Sequence, residues 1–159
     1  MNSNNRRADV RTRNVSSLEP LEHRESDVRL SLPARPENVA VVRHVLGAFT
    51  EALHLPHEIV EDMRLAVTEA CTNVVRHAYD DDQHGQLEII LRPDHGEVLE
   101  IIVSDHGRGI GPSPDTAGPG LGLPLIAALV DSLEIQQAPR SGSRLAMSFD
   151  TRRPRVGSA

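Results

Sequence analysis

The chain has 159 residues and a mass of 17.4 kDa, the size of one ordinary domain, and all 17 basic residues are arginine, which excludes Schiff-base, lysine-nucleophile and P-loop lysine chemistry within it. A formal charge of −6 and a pI near 5.7 leave no overall electrostatic footprint for direct nucleic-acid binding or for an acidic membrane. One cysteine, Cys71, excludes an intrachain disulfide and a Cys-rich zinc site, and the absence of both a long apolar run and a signal-peptide h-region makes a soluble, cytoplasmic protein the expectation.

Residues 1–27 are rich in Asn, Ser, Arg and Glu with hardly any periodic apolar positions, so ordering them would cost entropy without comparable burial. A flexible N-terminal tail is expected there. At Val28 the pattern changes, and Val28, Leu30 and Leu32 alternate as in a half-buried strand. Pro36 then opens a run whose apolar residues, Val39, Val42, Leu46, Phe49 and Leu53, fall at helical steps. A second helix is predicted after Pro56, with Ile59, Met63, Ala66, Ala70 and Val74 on one stripe, ending before the Asp80-Asp81-Asp82 cluster.

Leu87, Ile89 and Leu91 alternate, Pro93-Asp94-His95-Gly96 reads as a turn, and 98–103 is largely apolar, so a β-hairpin is predicted. Residues 110–119 have loop chemistry. Helical spacing returns at Leu123, Ile126, Leu129 and Val130, and 133–135 with Leu145, Met147 and Phe149 predict a second hairpin across a Pro-Arg-Ser-Gly turn. The expected organisation is a tail over 1–27, a folded domain over 28–150 and a fraying C-terminal tail over 151–159. Hairpins with helices grouped between them predict an α+β two-layer sandwich, its mixed, mostly antiparallel sheet covered on one face by helices.

Glu69 and Asn73 lie four apart on the second predicted helix, on one side and one turn apart. A carboxylate can accept a proton or orient a nucleophile, and an amide oxygen suits a hard cation such as Mg²⁺. Taken alone, the pair reads equally as two solvated helix positions. Asp105-His106-Gly107-Arg108-Gly109 follows a buried-looking strand, and Gly118-Pro119-Gly120-Leu121-Gly122 leads into a helix. Glycines at a helix start let anionic groups approach its free N–H donors and favourable dipole. An Asp at a strand end can accept a hydrogen bond from an exocyclic amine such as adenine N6.

In order, these three segments resemble the N, G1 and G2 boxes of the Bergerat-fold (GHKL) superfamily of gyrase-like ATPases, Hsp90 chaperones, histidine kinases and MutL. The N box is Glu69-Ala70-Cys71-Thr72-Asn73-Val74-Val75-Arg76-His77-Ala78-Tyr79, and the resemblance spans about 28–150. The short chain, the His-Ala-Tyr ending and the Gly-Leu-Gly-Leu-Pro-Leu-Ile stretch look like the anti-sigma factor serine kinases. The resemblance implies a histidine-kinase-like ATPase fold, with ATP and Mg²⁺ as cofactors. It implies Glu69 as the base or orienting group for an acceptor hydroxyl, Asn73 as the Mg²⁺ ligand and Asp105 as the adenine anchor. Gly107, Gly109, Gly118, Gly120, Leu121 and Gly122 would form the pocket floor and lid hinges. Ser143, after Gly142, loosely matches a family Gly-Thr pair near adenine. His77 could contact the nucleotide or simply finish the helix.

One departure concerns charge: the lid over 111–120 has no Arg, and the chain has no Lys. Arg76 and Arg108 are the nearest candidate cations for the terminal phosphate, or else surface charges paired with acidic neighbours. The function this implies is a protein serine/threonine kinase that phosphorylates a small STAS-type anti-sigma factor antagonist, sequesters a sigma factor, or does both. The alternative is a nucleotide-dependent interaction module without turnover. The resemblance is also compatible with a homodimer.

Overall fold

The computed structural model describes residues 7–81, 84–108 and 122–152. Its elements are β1 (Asp9–Asn14), β2 (Val28–Pro33), α1 (Pro36–Ala52), α2 (His57–Asn73), a π-helical turn (Val74–Ala78), β3 (Gln86–Asp94), β4 (Val98–Asp105), α3 (Gly122–Leu129), β5 (Ser132–Ala138) and β6 (Gly142–Asp150). The six strands form one sheet in the order β1-β5-β6-β4-β3-β2. Every pairing is antiparallel except β1 with β5, which is parallel. This is the expected α+β sandwich, with its two predicted hairpins in place.

Strand periodicity sorts the side chains into two faces. Leu87, Ile89 and Leu91 of β3, Leu99, Ile101 and Val103 of β4, Leu133 and Ile135 of β5, and Leu145, Met147 and Phe149 of β6 face the helices and are buried with them. Pro36 occupies the first turn of α1, where its missing N–H costs no helical bond, and the helix buries Val42 and Leu46. Leu53, predicted on that stripe, instead sits just past the last turn and stays 40% exposed. Deeper in, α2 packs Ile59, Met63, Ala66, Val67, Ala70 and Cys71 into the core. Burial pushes the Cys71 thiol up to about 12, which leaves it an inert apolar filler. Without tryptophan, the core depends on Leu, Ile, Val and Met, with Phe149 the bulkiest side chain completely enclosed.

The sheet also takes in a strand from within the segment expected to be a flexible tail over 1–27, of which residues 1–6 lie outside the described residues. Asp9–Asn14 forms β1 on the open edge of β5, and all six of its residues are exposed. Backbone pairing, with an exposed Arg13–Glu134 ion pair across to β5, builds it, so no apolar alternation announces it. Past β1 the chain crosses the outer face of the sheet, tied down by arginines pointing outward from the strands. Arg144 of β6 donates to the Glu19 carbonyl at 2.9 Å, while Arg29 of β2 and Arg92 of β3 donate to the Glu22 carbonyl at 2.7 and 2.8 Å. Arg92 also grips Asp27 with two bonds, Nε to Oδ1 at 3.0 Å and Nη2 to Oδ2 at 2.9 Å. Planar, two-pronged geometry of this kind is available to arginine and not to lysine.

The Asp27 side chain is fully enclosed and Arg92 is nearly so. The Arg92 guanidinium beside it holds the Asp27 carboxyl well below the usual carboxylate range. The unfolded chain therefore takes up this proton more readily than the folded one. The pair stabilises the fold fully above pH about 4, and the contribution is lost as pH falls below that value. Asp27→Ala, which leaves Arg92 only the Glu22 carbonyl and the more distant Glu100, is expected to cost about 1–3 kcal/mol in urea unfolding at neutral pH. The difference between variant and wild type should shrink as pH is lowered from about 4.

Candidate functional site

Most of the described residues singled out from the sequence fall into two groups, Asp105, Gly107 and Ser143 at the end of β4 and the start of β6, and Glu69 and Asn73 on α2 against the first residue of α3. Asp105 is the last residue of β4, paired across the sheet with Ser143 of β6, and both are 1% exposed. Its Oδ1 accepts the Gly107 N–H at 2.9 Å, and its Oδ2 accepts the Ser143 hydroxyl at 2.5 Å. An ionised carboxylate has about four lone-pair positions. Two are used here, which leaves acceptor capacity for an amine. In this enclosed setting water competes little for such a bond.

Two glycines make this packing possible. A Cβ on Gly107 would overlap the carbonyl of Ala78, at the end of the π-helical turn. A Cβ on Gly142 would overlap the carbonyl of Asp105 itself, and Gly142 has a φ of +114°, a backbone region open chiefly to glycine. The Arg108 N–H donates to the Ala78 carbonyl at 2.9 Å, so the G1 turn is docked on the end of the N box. Gly142 was not among the residues picked from the sequence. Its signals there were the Pro-Arg-Ser-Gly turn that it ends and the loose match of Gly142-Ser143 to a family Gly-Thr pair.

Glu69 and Asn73 are half-buried on α2, and Gly122, the first residue of α3, lies against both tips. A Cβ built on Gly122 would stand 2.8 Å from Asn73 Nδ2, 3.2 Å from Asn73 Oδ1 and 2.9 Å from Glu69 Oε1. Neither side chain has a hydrogen-bond or ion-pair partner among the described residues, so both polar ends are available to a ligand. No cluster of three or more His, Cys, Asp or Glu side chains forms a metal cage among the described residues. A single amide oxygen beside a single carboxylate suits a cation that takes its remaining ligands from water and phosphate.

His77 is exposed on the π-helical turn, and no hydrogen bond joins it to Asp105, Glu69 or Asn73. Arg108 is ion-paired with Asp80, the surface pairing that was one of its two readings, and Arg76 is exposed. Gly109, Gly118, Gly120 and Leu121, with the lid between them, lie outside the described residues.

The histidine kinase-like ATPase domain family matches residues 32–149, which takes in all three boxes. The chain belongs to this family. Among its relatives, the serine-protein kinase RsbW of Halalkalibacterium halodurans is 35% identical over 84% of this chain and 89% of its own length. RsbW of Bacillus subtilis is 32% identical over 76% and 83%. Identity at this level over most of both chains places the protein among the RsbW-type members of the ATPase family. In fold it resembles the solved RsbU and RsbW domains of a Mycobacterium tuberculosis protein, with a TM-score of 0.65 and 21% identity over 84% of this chain and 34% of that longer one. A histidine kinase domain from Erythrobacter litoralis gives a TM-score of 0.54 at 22% identity, over 76% of this chain and 62% of that one. Among the described residues, no helix is long and apolar enough to cross a membrane.

Gly107→Ala places a methyl group against the Ala78 carbonyl. It should cost about 1–3 kcal/mol in denaturant titration and speed amide exchange at residues 106–108. An unchanged unfolding midpoint would show that the G1 turn is not packed on the N box.

Proposed function

We propose that this chain, an ATP-dependent protein serine kinase of the anti-sigma factor type, phosphorylates a serine on a small STAS-type antagonist protein and binds a sigma factor, acting in the cytoplasm. The observation that carries this reading is the convergence of Glu69, Asn73 and the start of α3 at one point, with the buried Asp105–Ser143 pair framing the other end of the site. Asp105 would accept the exocyclic amine of adenine while Ser143 holds its carboxylate in place. The free N–H groups at the start of α3 would receive the phosphates.

Asn73 would hold Mg²⁺, which when bound supplies positive charge to the phosphate oxygens. Glu69 takes the proton of the acceptor serine as that oxygen bonds to the terminal phosphorus and ADP leaves. A chain without lysine, whose Arg108 is committed to Asp80, leaves most of the charge neutralisation to the metal and to backbone donors. Phosphoryl transfer tolerates this, because it relies on positioning and electrostatics more than on covalent help from protein.

Glu69→Ala is expected to abolish phosphoserine formation on the cognate antagonist, with loss of at least about 100-fold in rate, while Mg·ATP still raises the unfolding midpoint. Asp105→Asn should remove that thermal stabilisation instead. A wild-type protein that binds Mg·ATP and holds its partner without ever transferring phosphate would replace the kinase reading with that of an interaction module.

A further inference from the structure

Resting on the nucleotide-site reading above, we infer that Tyr79 is a positioning residue for the adenine end of the site, its hydroxyl fixing the turn that aims Asp105. Tyr79 follows the π-helical turn, at the end of the segment that carries Glu69 and Asn73. Its hydroxyl donates to the Gln86 carbonyl at 2.6 Å, at the start of β3. The same oxygen accepts the His106 N–H at 3.0 Å, immediately after Asp105. One side-chain atom therefore joins three elements: the end of the N box, the first residue of β3 and the first residue beyond β4.

Consecutive N–H groups at 106, 107 and 108 are each satisfied by a different group: the Tyr79 hydroxyl, the Asp105 carboxylate and the Ala78 carbonyl. Two of those three acceptors come from adjacent residues at the end of the N box. The ring itself is confined, since a Cβ on Gly85 would run into it. Burial, reinforced by the nearby Asp105 and Glu88 charges, pushes the phenol up from its ordinary value. The hydroxyl therefore keeps its proton and goes on donating to Gln86 at neutral pH. The Tyr79 hydroxyl bonds to neither Glu69 nor Asn73, its partners being Gln86 and His106. Its influence falls on the base-recognition end and spares the phosphate end.

Tyr79→Phe keeps the ring against Gly85 and removes only the hydroxyl, so the variant should fold. Isothermal titration of wild type and variant with Mg·ATP and with Mg·triphosphate, which has phosphates and no base, separates the two ends of the site. The expected result is ATP affinity weakened about five- to tenfold, from the loss of two neutral hydrogen bonds, with triphosphate affinity unchanged. Equal weakening of ATP and triphosphate would assign Tyr79 a general structural role and overturn the inference. So would wild-type ATP binding that the substitution leaves intact. Failure of the wild type itself to bind Mg·ATP would overturn the nucleotide-site reading on which the inference rests.

Discussion

Three backbone N–H groups just past the end of β4 leave the regular strand ladder and find their acceptors within the protein. Two of the three acceptors, the Ala78 carbonyl and the Tyr79 hydroxyl, lie at the end of the segment that begins as α2, and the third is the Asp105 carboxylate itself. This joint fixes where the sheet layer ends relative to the helix layer on one side of the Asp105 carboxylate. Gly142 fixes the other side by letting β6 close against the Asp105 backbone. The π-helical turn at Val74–Ala78 widens the helix just before this joint. It delivers Ala78 and Tyr79 to the sheet while Glu69 and Asn73 remain on the regular helix above, facing α3. Single π turns recur in helices at functional sites for this reason: they re-aim a segment without breaking it.

The opposite face of the sheet is organised by charge. Arg29, Arg92 and Arg144 turn a polar N-terminal segment into part of the fold by binding its carbonyls and, at Asp27, its one enclosed carboxylate. Arginine suits this work because its donors are fixed in a plane and less is lost on ordering each bond. The all-arginine composition that excludes lysine chemistry at the site thus supplies the fasteners of the outer face. Neither the tie at Glu19 nor the one at Glu22 involves a complementary side chain, since both are carbonyl oxygens. This explains why charge patterning in the sequence gives no warning of them.

How much of the molecule was legible depended on whether the signal was local. Helical and strand periodicities, turn residues and the order of the glycine boxes are local, and they led to the helices, the two hairpins, the sandwich and the Glu69–Asn73–Asp105 constellation. Contacts between distant segments had no such signature. β1 lacks any apolar alternation because it sits exposed on a sheet edge, and Tyr79 reads as the last letter of a motif until its hydroxyl is seen bridging β3 and β4. Gly142 reads as an ordinary turn glycine until its closeness to Asp105 is seen.

The sequence by itself determined the fold class, the order of the three boxes and the restriction to arginine as the only strong cation. It could do so because hydrophobic period and motif spacing are properties of short stretches of chain. Only the tertiary structure decided that Arg108 pairs with Asp80 on the surface, that His77 is exposed, that Asp9–Asn14 joins the sheet and that the G1 turn is held by the end of the N box. Each of these is a choice among competing partners, and such choices are made when segments far apart in sequence are packed together and their unsatisfied donors must be paired.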